Sequence, residues 1–346
     1  MAIVTRVAND TVALLPDSVD PFALSLNENP FPPLPAVRSA LIASVEAANR
    51  YPDFLPERLR AIIAGHIGVD REQVIVGAGA TGVAMQVLRA VTDPGDRIVL
   101  TTPTFDGYPI IAKMAGLAAV EVPLSKHGRH DLDAMSDAAS QARVVVLCRP
   151  HNPTGTIESA GDLERFLCRI PVDTVVILDE AYAEFVADAD RIDAAALVGR
   201  HPNVVVLRTF SKAYGLAGLR IGYGFCGYEL GRLLWAMQLP FGVGICSLVA
   251  VSASYAAEDQ LRQRVALITA ERRYLQMRLR SAGIYSTDAH ANFLYLPSSG
   301  RPWREVFADT ALQLRHYDDG AVRITVGTRP STKPIIAAVE ASGGHP

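Results

Sequence analysis

Short apolar runs rich in β-branched residues recur through the middle of the chain, at 74–77, 97–100, 119–122, 144–148, 174–178, 204–207 and 221–225. Most do not alternate between polar and apolar positions. A strand that is apolar at successive positions must bury both faces, the pattern of a sheet covered by helices on both sides. The intervening segments, such as 80–91 and 163–170, have helical spacing and enough length for crossovers. Residues 74 to about 225 therefore predict one α/β domain with some seven strands. From 258 the pattern changes. Leu261, Val265, Ile268, Leu275 and Leu279 recur at helical steps, and Gly283 is a stop. A strand at 292–296, a helix at 303–314, a strand at 322–326 and a final helix follow. This part predicts a smaller α+β unit. At the other end, NPFPPLP at 29–35 must run extended before a helix at 35–48.

Composition narrows the class. A chain of 346 residues has room for about two domains at roughly 100–200 residues each. With 49% hydrophobic residues a large core is available, which rules out wholesale disorder. The 33 basic and 36 acidic side chains leave no basic excess to neutralise a phosphate backbone, so a nucleic-acid partner is not expected. Cys148, Cys168, Cys226 and Cys246 are widely spaced without a C-x-x-C pair. They suit a reducing cytosol better than a disulfide framework or a zinc site. The first residues lack a signal-peptide pattern, and a cytoplasmic protein is expected. The 25 residues from 233 to 257 carry no charge and could span a bilayer. Pro240, Gly242 and Gly244 break any helix there, however, and Gln238, Ser247, Ser252 and Ser254 dilute its apolar character. A buried loop between two helices is the expectation, with no membrane span.

Candidate chemistry sits just past four of the strands. GAGATG (77–82) lies between a strand and a helix. RPHNPTG (149–155) follows the fourth strand. VVILDEAY (175–182) puts Asp179 at the end of a run of buried residues, and RTFSKAYGLAGLRIGY (208–223) places Lys212 in a turn and Arg220 at the next strand's start. Parallel sheets bind ligands outside the carboxyl ends of their strands. A helix N-terminus with Thr209, Ser211 and Arg220 suits a phosphate. A carboxylate would keep a ring nitrogen protonated, and a lysine could form a Schiff base.

On these motifs the chain resembles the fold-type I pyridoxal-phosphate (PLP) aminotransferases, within them the histidinol-phosphate and aromatic amino acid branch. The resemblance runs from LSLNENPF (24–31) to AVRITVGT (321–328). It implies the PLP-dependent transferase fold type I, a three-layer α/β/α large domain with a mostly parallel seven-stranded sheet plus a small α+β domain. The expected division is 1–45 as an N-terminal segment joining the small domain, 46–245 as the large PLP-binding domain and 246–346 as the small C-terminal domain. The resemblance makes Lys212 the internal-aldimine lysine and proton shuttle. It pairs Asp179 with the pyridine nitrogen, and bonds Tyr182 and Asn152 to the ring hydroxyl oxygen. Phe105 of TTPTFDGYP stacks on the ring where the family more often has Tyr. The Ala80 and Thr81 amides, Thr209, Ser211 and Arg220 hold the phosphate. Arg323, Arg315, Asn152 and Asn29 are implied substrate contacts, with Arg315 helping to hold a substrate phosphate. Tyr51 of NRYPD would reach the neighbouring subunit's cofactor phosphate, which implies a homodimer. The reaction implied is amino transfer by a ping-pong mechanism from histidinol phosphate or an aromatic L-amino acid to 2-oxoglutarate. The segment ahead of NENP is shorter than in the family and lacks its Pro-Tyr pair, which counts against histidinol phosphate.

Rival readings remain beside this one. Gly77, Gly79 and Gly82 satisfy G-x-G-x-x-G, but Asp93 and Asp96 lie ahead of the next strand rather than past it, so a dinucleotide lacks its ribose partner. Decarboxylases of phosphorylated amino acids share the resemblance, and a non-catalytic PLP-binding protein is a further class. His127 and His130 in KHGRHD have no third ligand and read as solvated, so no metal is expected. His151 receives no role.

Overall fold

The computed structural model describes residues 16–298 and 300–342. Seven strands build the large sheet: β1 (Val74–Ala78), β2 (Arg97–Thr102), β3 (Ala118–Pro123), β4 (Val144–Cys148), β5 (Val175–Asp179), β6 (Val204–Thr209) and β7 (Ile221–Cys226), in the order β1-β7-β6-β5-β4-β2-β3. β7 runs antiparallel to both of its neighbours, and the other paired strands are parallel. The all-apolar strands have the expected cause. Val145 and Leu147 of β4, Val176 and Leu178 of β5, and Val204 and Val206 of β6 enter one core. Their alternates Val144, Val146, Val175, Ile177, Val205 and Leu207 enter a second core on the opposite face. Helices such as Gly79–Val91 and Ala160–Arg169 cover the two faces.

β3 departs from expectation. It is an edge strand, and Ala118, Ala119, Glu121 and Pro123 are exposed. Its outward face is Ala119, Glu121 and Pro123, and with one charge among them the run reads as largely apolar.

A second sheet holds β8 (Phe293–Leu296), β9 (Arg315–His316) and β10 (Val322–Thr325), antiparallel in the order β8-β10-β9. Leu275 and Leu279 of the long Glu258–Ser281 helix close its core, and Gly283 takes a left-handed φ of 73° just past that helix. The helix expected at 303–314 covers only Trp303–Val306. The backbone of Gln313 instead bonds to Phe22 and Leu24, which a continuing helix would forbid. Leu24 belongs to the small sheet's core, and the amide of Thr325 donates to its carbonyl. The expected divisions at 45/46 and 245/246 are crossed by the large core, which takes in Leu34 and Val37 on one side and Ala250 and Val251 on the other.

The uncharged stretch forms the end of the Tyr228–Trp235 helix, a loop and the Ile245–Ala256 helix. No helix among the described residues is long and apolar enough to cross a membrane. The loop is not buried in the isolated chain. Phe241 is exposed and packs with exposed Tyr51 and Phe54, at ring separations of 4.8 and 5.1 Å.

Candidate active site

The carboxyl ends of β1, β2, β4, β5 and β6 and the start of β7 meet at one rim of the sheet. There they line a cavity of about 330 Å³, closed on the other side by 25–28 and by Arg315 and Arg323 of the small sheet. A larger hollow of about 970 Å³ lies beside the Glu258–Ser281 helix, lined by Glu180, Glu184, Arg208 and Arg272 among others. No lysine, serine or cysteine lines it among the described residues, and its Arg208 is already bonded to Glu180 at 2.7 Å. Chemistry therefore points to the smaller cavity.

Lys212 follows β6 and is partly buried, with Nζ donating to the Leu26 carbonyl at 2.9 Å. Burial and the nearby Arg323 guanidinium lower its pKa to about 8, so a neutral amine is accessible near physiological pH. Asp179 ends β5 and is 8% exposed. Burial raises its pKa, against the opposing hydrogen bonds from the Tyr108 hydroxyl (2.5 Å) and the Ala181 amide (3.0 Å).

The Tyr182 hydroxyl accepts from the amides of Asn27 (2.9 Å) and Asn152 (3.4 Å). Its own proton is therefore left to donate. Asn152 in turn accepts from Arg323 Nη1, and Arg323 Nη2 donates to the Ser25 carbonyl at 2.6 Å. Arg323 Nε is buried without a hydrogen-bond partner among the described residues. A bound carboxylate would relieve that cost.

Where glycines let groups approach, the cavity wall has the shape and donors that suit a phosphate. Ala80 and Thr81 lie in the first turn of the Gly79–Val91 helix. A Cβ on Gly79, whose φ is 73°, would stand 2.3 Å from Arg220 Nη2, and one on Gly222 would stand 2.3 Å from the Ala80 nitrogen. Arg220 itself holds a left-handed φ of 54°, a costly conformation for a residue with a Cβ. Its Nη1 reaches the Ser211 hydroxyl at 3.4 Å, and Thr209 bonds Ser211 at 3.0 Å. The cavity thus gathers a dianion cradle, a buried carboxylate, hydroxyl and amide donors and a low-pKa lysine, a donor set that fits a phosphorylated pyridine aldehyde.

Phe105 lines the cavity, as do Ala80, Thr81, Thr209, Ser211 and Arg220. Two residues fall elsewhere. Asn29, expected to touch substrate, does not line the cavity. Its amide donates to the carbonyls of Lys212 (3.2 Å) and Ala213 (2.8 Å), and its oxygen accepts from the Phe31 amide, so its groups are spent fixing the loop that carries the lysine. Tyr51 lies outside this cavity and is 82% exposed. Arg315 is at the rim with its charge engaged by Asp106 at 2.8 Å.

Three features escaped the sequence. Tyr108 sits three residues beyond Phe105, and Asn27 two residues ahead of Asn29; both occupy motifs whose other members were read. His130 corrects the solvated reading of KHGRHD: it is buried, with Nε2 on the Cys148 carbonyl at 3.0 Å, whereas His127 is exposed. Its neighbour His151 is also buried, between Thr154 (2.9 Å) and Thr101 (3.3 Å), where it braces the turn bearing Asn152.

Comparison with known proteins agrees with this geometry. Residues 19–339 match the family model for aminotransferase class I and II. An aromatic amino acid aminotransferase of Cutibacterium acnes is 44% identical over 319 residues, covering 91% of each chain. One of Rhodococcus opacus is 41% identical over 339 residues, covering 96% of this chain and 94% of that one. The crystal structure of histidinol-phosphate aminotransferase from Sinorhizobium meliloti, in complex with pyridoxal-5'-phosphate, superposes with a TM-score of 0.86 at 25% identity, covering 96% of each chain.

Proposed function

The chain belongs to the class I and II aminotransferases, and from that premise we propose that its amino donor is an aromatic L-amino acid such as phenylalanine, with 2-oxoglutarate as acceptor. The protein is a PLP-dependent transaminase. The donor assignment rests on one observation above others, the Arg315–Asp106 pair. The cation that would meet a substrate phosphate is already neutralised, and Glu28 adds negative charge to the same cavity. Leu26, Phe105 and Ile111 supply apolar wall instead. An uncharged aromatic side chain loses little there, whereas a phosphate dianion must compete with Asp106 for the exposed Arg315. The names of the 44% and 41% identical relatives support the same choice.

PLP, when bound, supplies the electron sink that makes loss of the substrate's α-proton feasible. The residues do the rest. Thr209, Ser211, Arg220 and the Ala80 and Thr81 amides hold the phosphate. Asp179 holds the proton on the ring nitrogen. Tyr182 and Asn152 donate to the ring oxygen, and Phe105 stacks on the ring. Arg323 orients the substrate carboxylate through its free Nε, and Lys212 Nζ carries the proton. One cavity serves donor and acceptor in turn, which is a ping-pong scheme. The working unit in this reading is a homodimer in the cytoplasm. The exposed cluster of Tyr51, Phe54 and Phe241 supports a partner surface, across which Tyr51 reaches the partner's phosphate site.

The test is a donor panel with 2-oxoglutarate. Phenylalanine should exceed histidinol phosphate in kcat/KM by about twofold to fivefold, the scale of one exposed ion pair. Asp106→Asn should narrow that gap. Better turnover of histidinol phosphate would overturn the donor assignment. Carbon dioxide release without amino transfer would point to decarboxylation.

A further inference from the structure

We propose that Tyr108 is a positioning residue that acts through Asp179, its hydroxyl keeping that carboxylate ionised and aimed for the cofactor's ring nitrogen. This rests on the reading of the cavity as the PLP site. Tyr108 lies in the first turn of the Gly107–Met114 helix and is 2% exposed. Its hydroxyl donates to Asp179 Oδ2 at 2.5 Å, while Oδ1 accepts from the Ala181 amide at 3.0 Å. Each oxygen keeps a further lone pair for a ring N–H.

The physical need for such a donor is plain. Asp179 is buried and, among the described residues, forms no direct ion pair. A buried carboxylate without a cation in contact loses its charge unless hydrogen bonds hold it. The titratable groups facing it are Cys148 on β4, Glu180, Lys212 and Tyr182. Lys212 favours the charge, and Glu180 opposes it but is bonded to Arg208. Cys148 and Tyr182 are held neutral by burial. The phenol of Tyr108 is pushed well up by burial and by Asp179, so it keeps its proton and donates it to the carboxylate. Losing that donor would favour the neutral carboxyl form and weaken the grip on a ring proton.

The ring of Tyr108 has a separate task. It meets Phe105 edge-on at 5.8 Å, and Gly107 makes room, since a Cβ there would stand 2.4 Å from the Phe105 ring. A phenylalanine at 108 keeps the brace and removes only the hydroxyl.

Equilibrium binding of PLP to apoprotein, from about pH 6 to about pH 9, should be compared for wild type, Tyr108→Phe, Asp179→Asn and the double variant. Tyr108→Phe should weaken binding about threefold to tenfold, a part of what a hydrogen bond to a charged group contributes. Its acid limb should move to higher pH, and both effects should vanish in the Asp179→Asn background. An equal loss in both backgrounds would reduce Tyr108 to packing and overturn the proposal, as would unchanged affinity with an unchanged pH profile. A wild-type apoprotein that takes up no PLP would overturn the reading of the cavity and this proposal with it.

Discussion

Replacing Asp179 with asparagine preserves shape and removes one charge. In the apoprotein the change should be tolerated. Burial raises the Asp179 pKa from its ordinary value, so its ionised form costs stability in the folded state. That cost appears as pH rises through the folded pKa, and the asparagine variant should escape it. Its oxygen can still accept from the Ala181 amide, now 3.0 Å away, and the Tyr108 hydroxyl can turn to accept. The apoprotein should therefore melt no lower than wild type at pH 8. Activity should behave in the opposite way. Removing one partner of a buried charged pair costs about 3–5 kcal/mol. At 1.36 kcal/mol per tenfold, kcat/KM should fall roughly a hundredfold to several thousandfold. The assay is phenylalanine–2-oxoglutarate transamination with PLP saturating, alongside thermal melts of apoprotein. A kcat/KM within about threefold of wild type would refute the electron-sink role. A strongly lowered apoprotein melting temperature would refute the claim that the carboxylate is held at the expense of stability.

Further expectations test separate parts of the account. Gly222→Ala forces a Cβ against the Ala80 nitrogen, so PLP affinity measured by fluorescence should fall about tenfold or more, with the loss carried by the phosphate site rather than by Lys212. Glu184 lies in the second hollow, its carboxyl raised to about 7 by burial although Arg208 opposes this. Its charge therefore costs folded stability as pH rises from about 4.5 through about 7. Glu184→Gln should remove that decline, a gain of up to about 3 kcal/mol at pH 8 and little at pH 4, read from denaturant midpoints.

The central strands were legible because they are apolar on both faces, and the site was legible because its chemistry follows strand ends in short motifs. Lys212, Asp179, Arg220 and Arg323 all reach one cavity. What escaped was set by contacts between distant segments. The Tyr108 hydroxyl bonds a residue 71 positions away. Asn27 rather than Asn29 enters the cavity because its left-handed φ of 55° turns the chain there and brings its side chain to Tyr182. The helix expected through 314 stops early because Gln313 pairs with a segment nearly 300 residues upstream. His130 is polar in a charged loop, yet the end of β4 buries it. Periodicity sees none of these, since each is decided by a partner that local sequence does not contain.

The most direct measurement is the site of covalent capture. The chain has four lysines, Lys113, Lys126, Lys212 and Lys333, and all but Lys212 are exposed. Borohydride reduction of the yellow holoprotein, followed by peptide mapping, should place the pyridoxyl group on Lys212, and Lys212→Ala should lose both the label and the colour. A label on any other lysine, or full labelling of the alanine variant, would contradict the account.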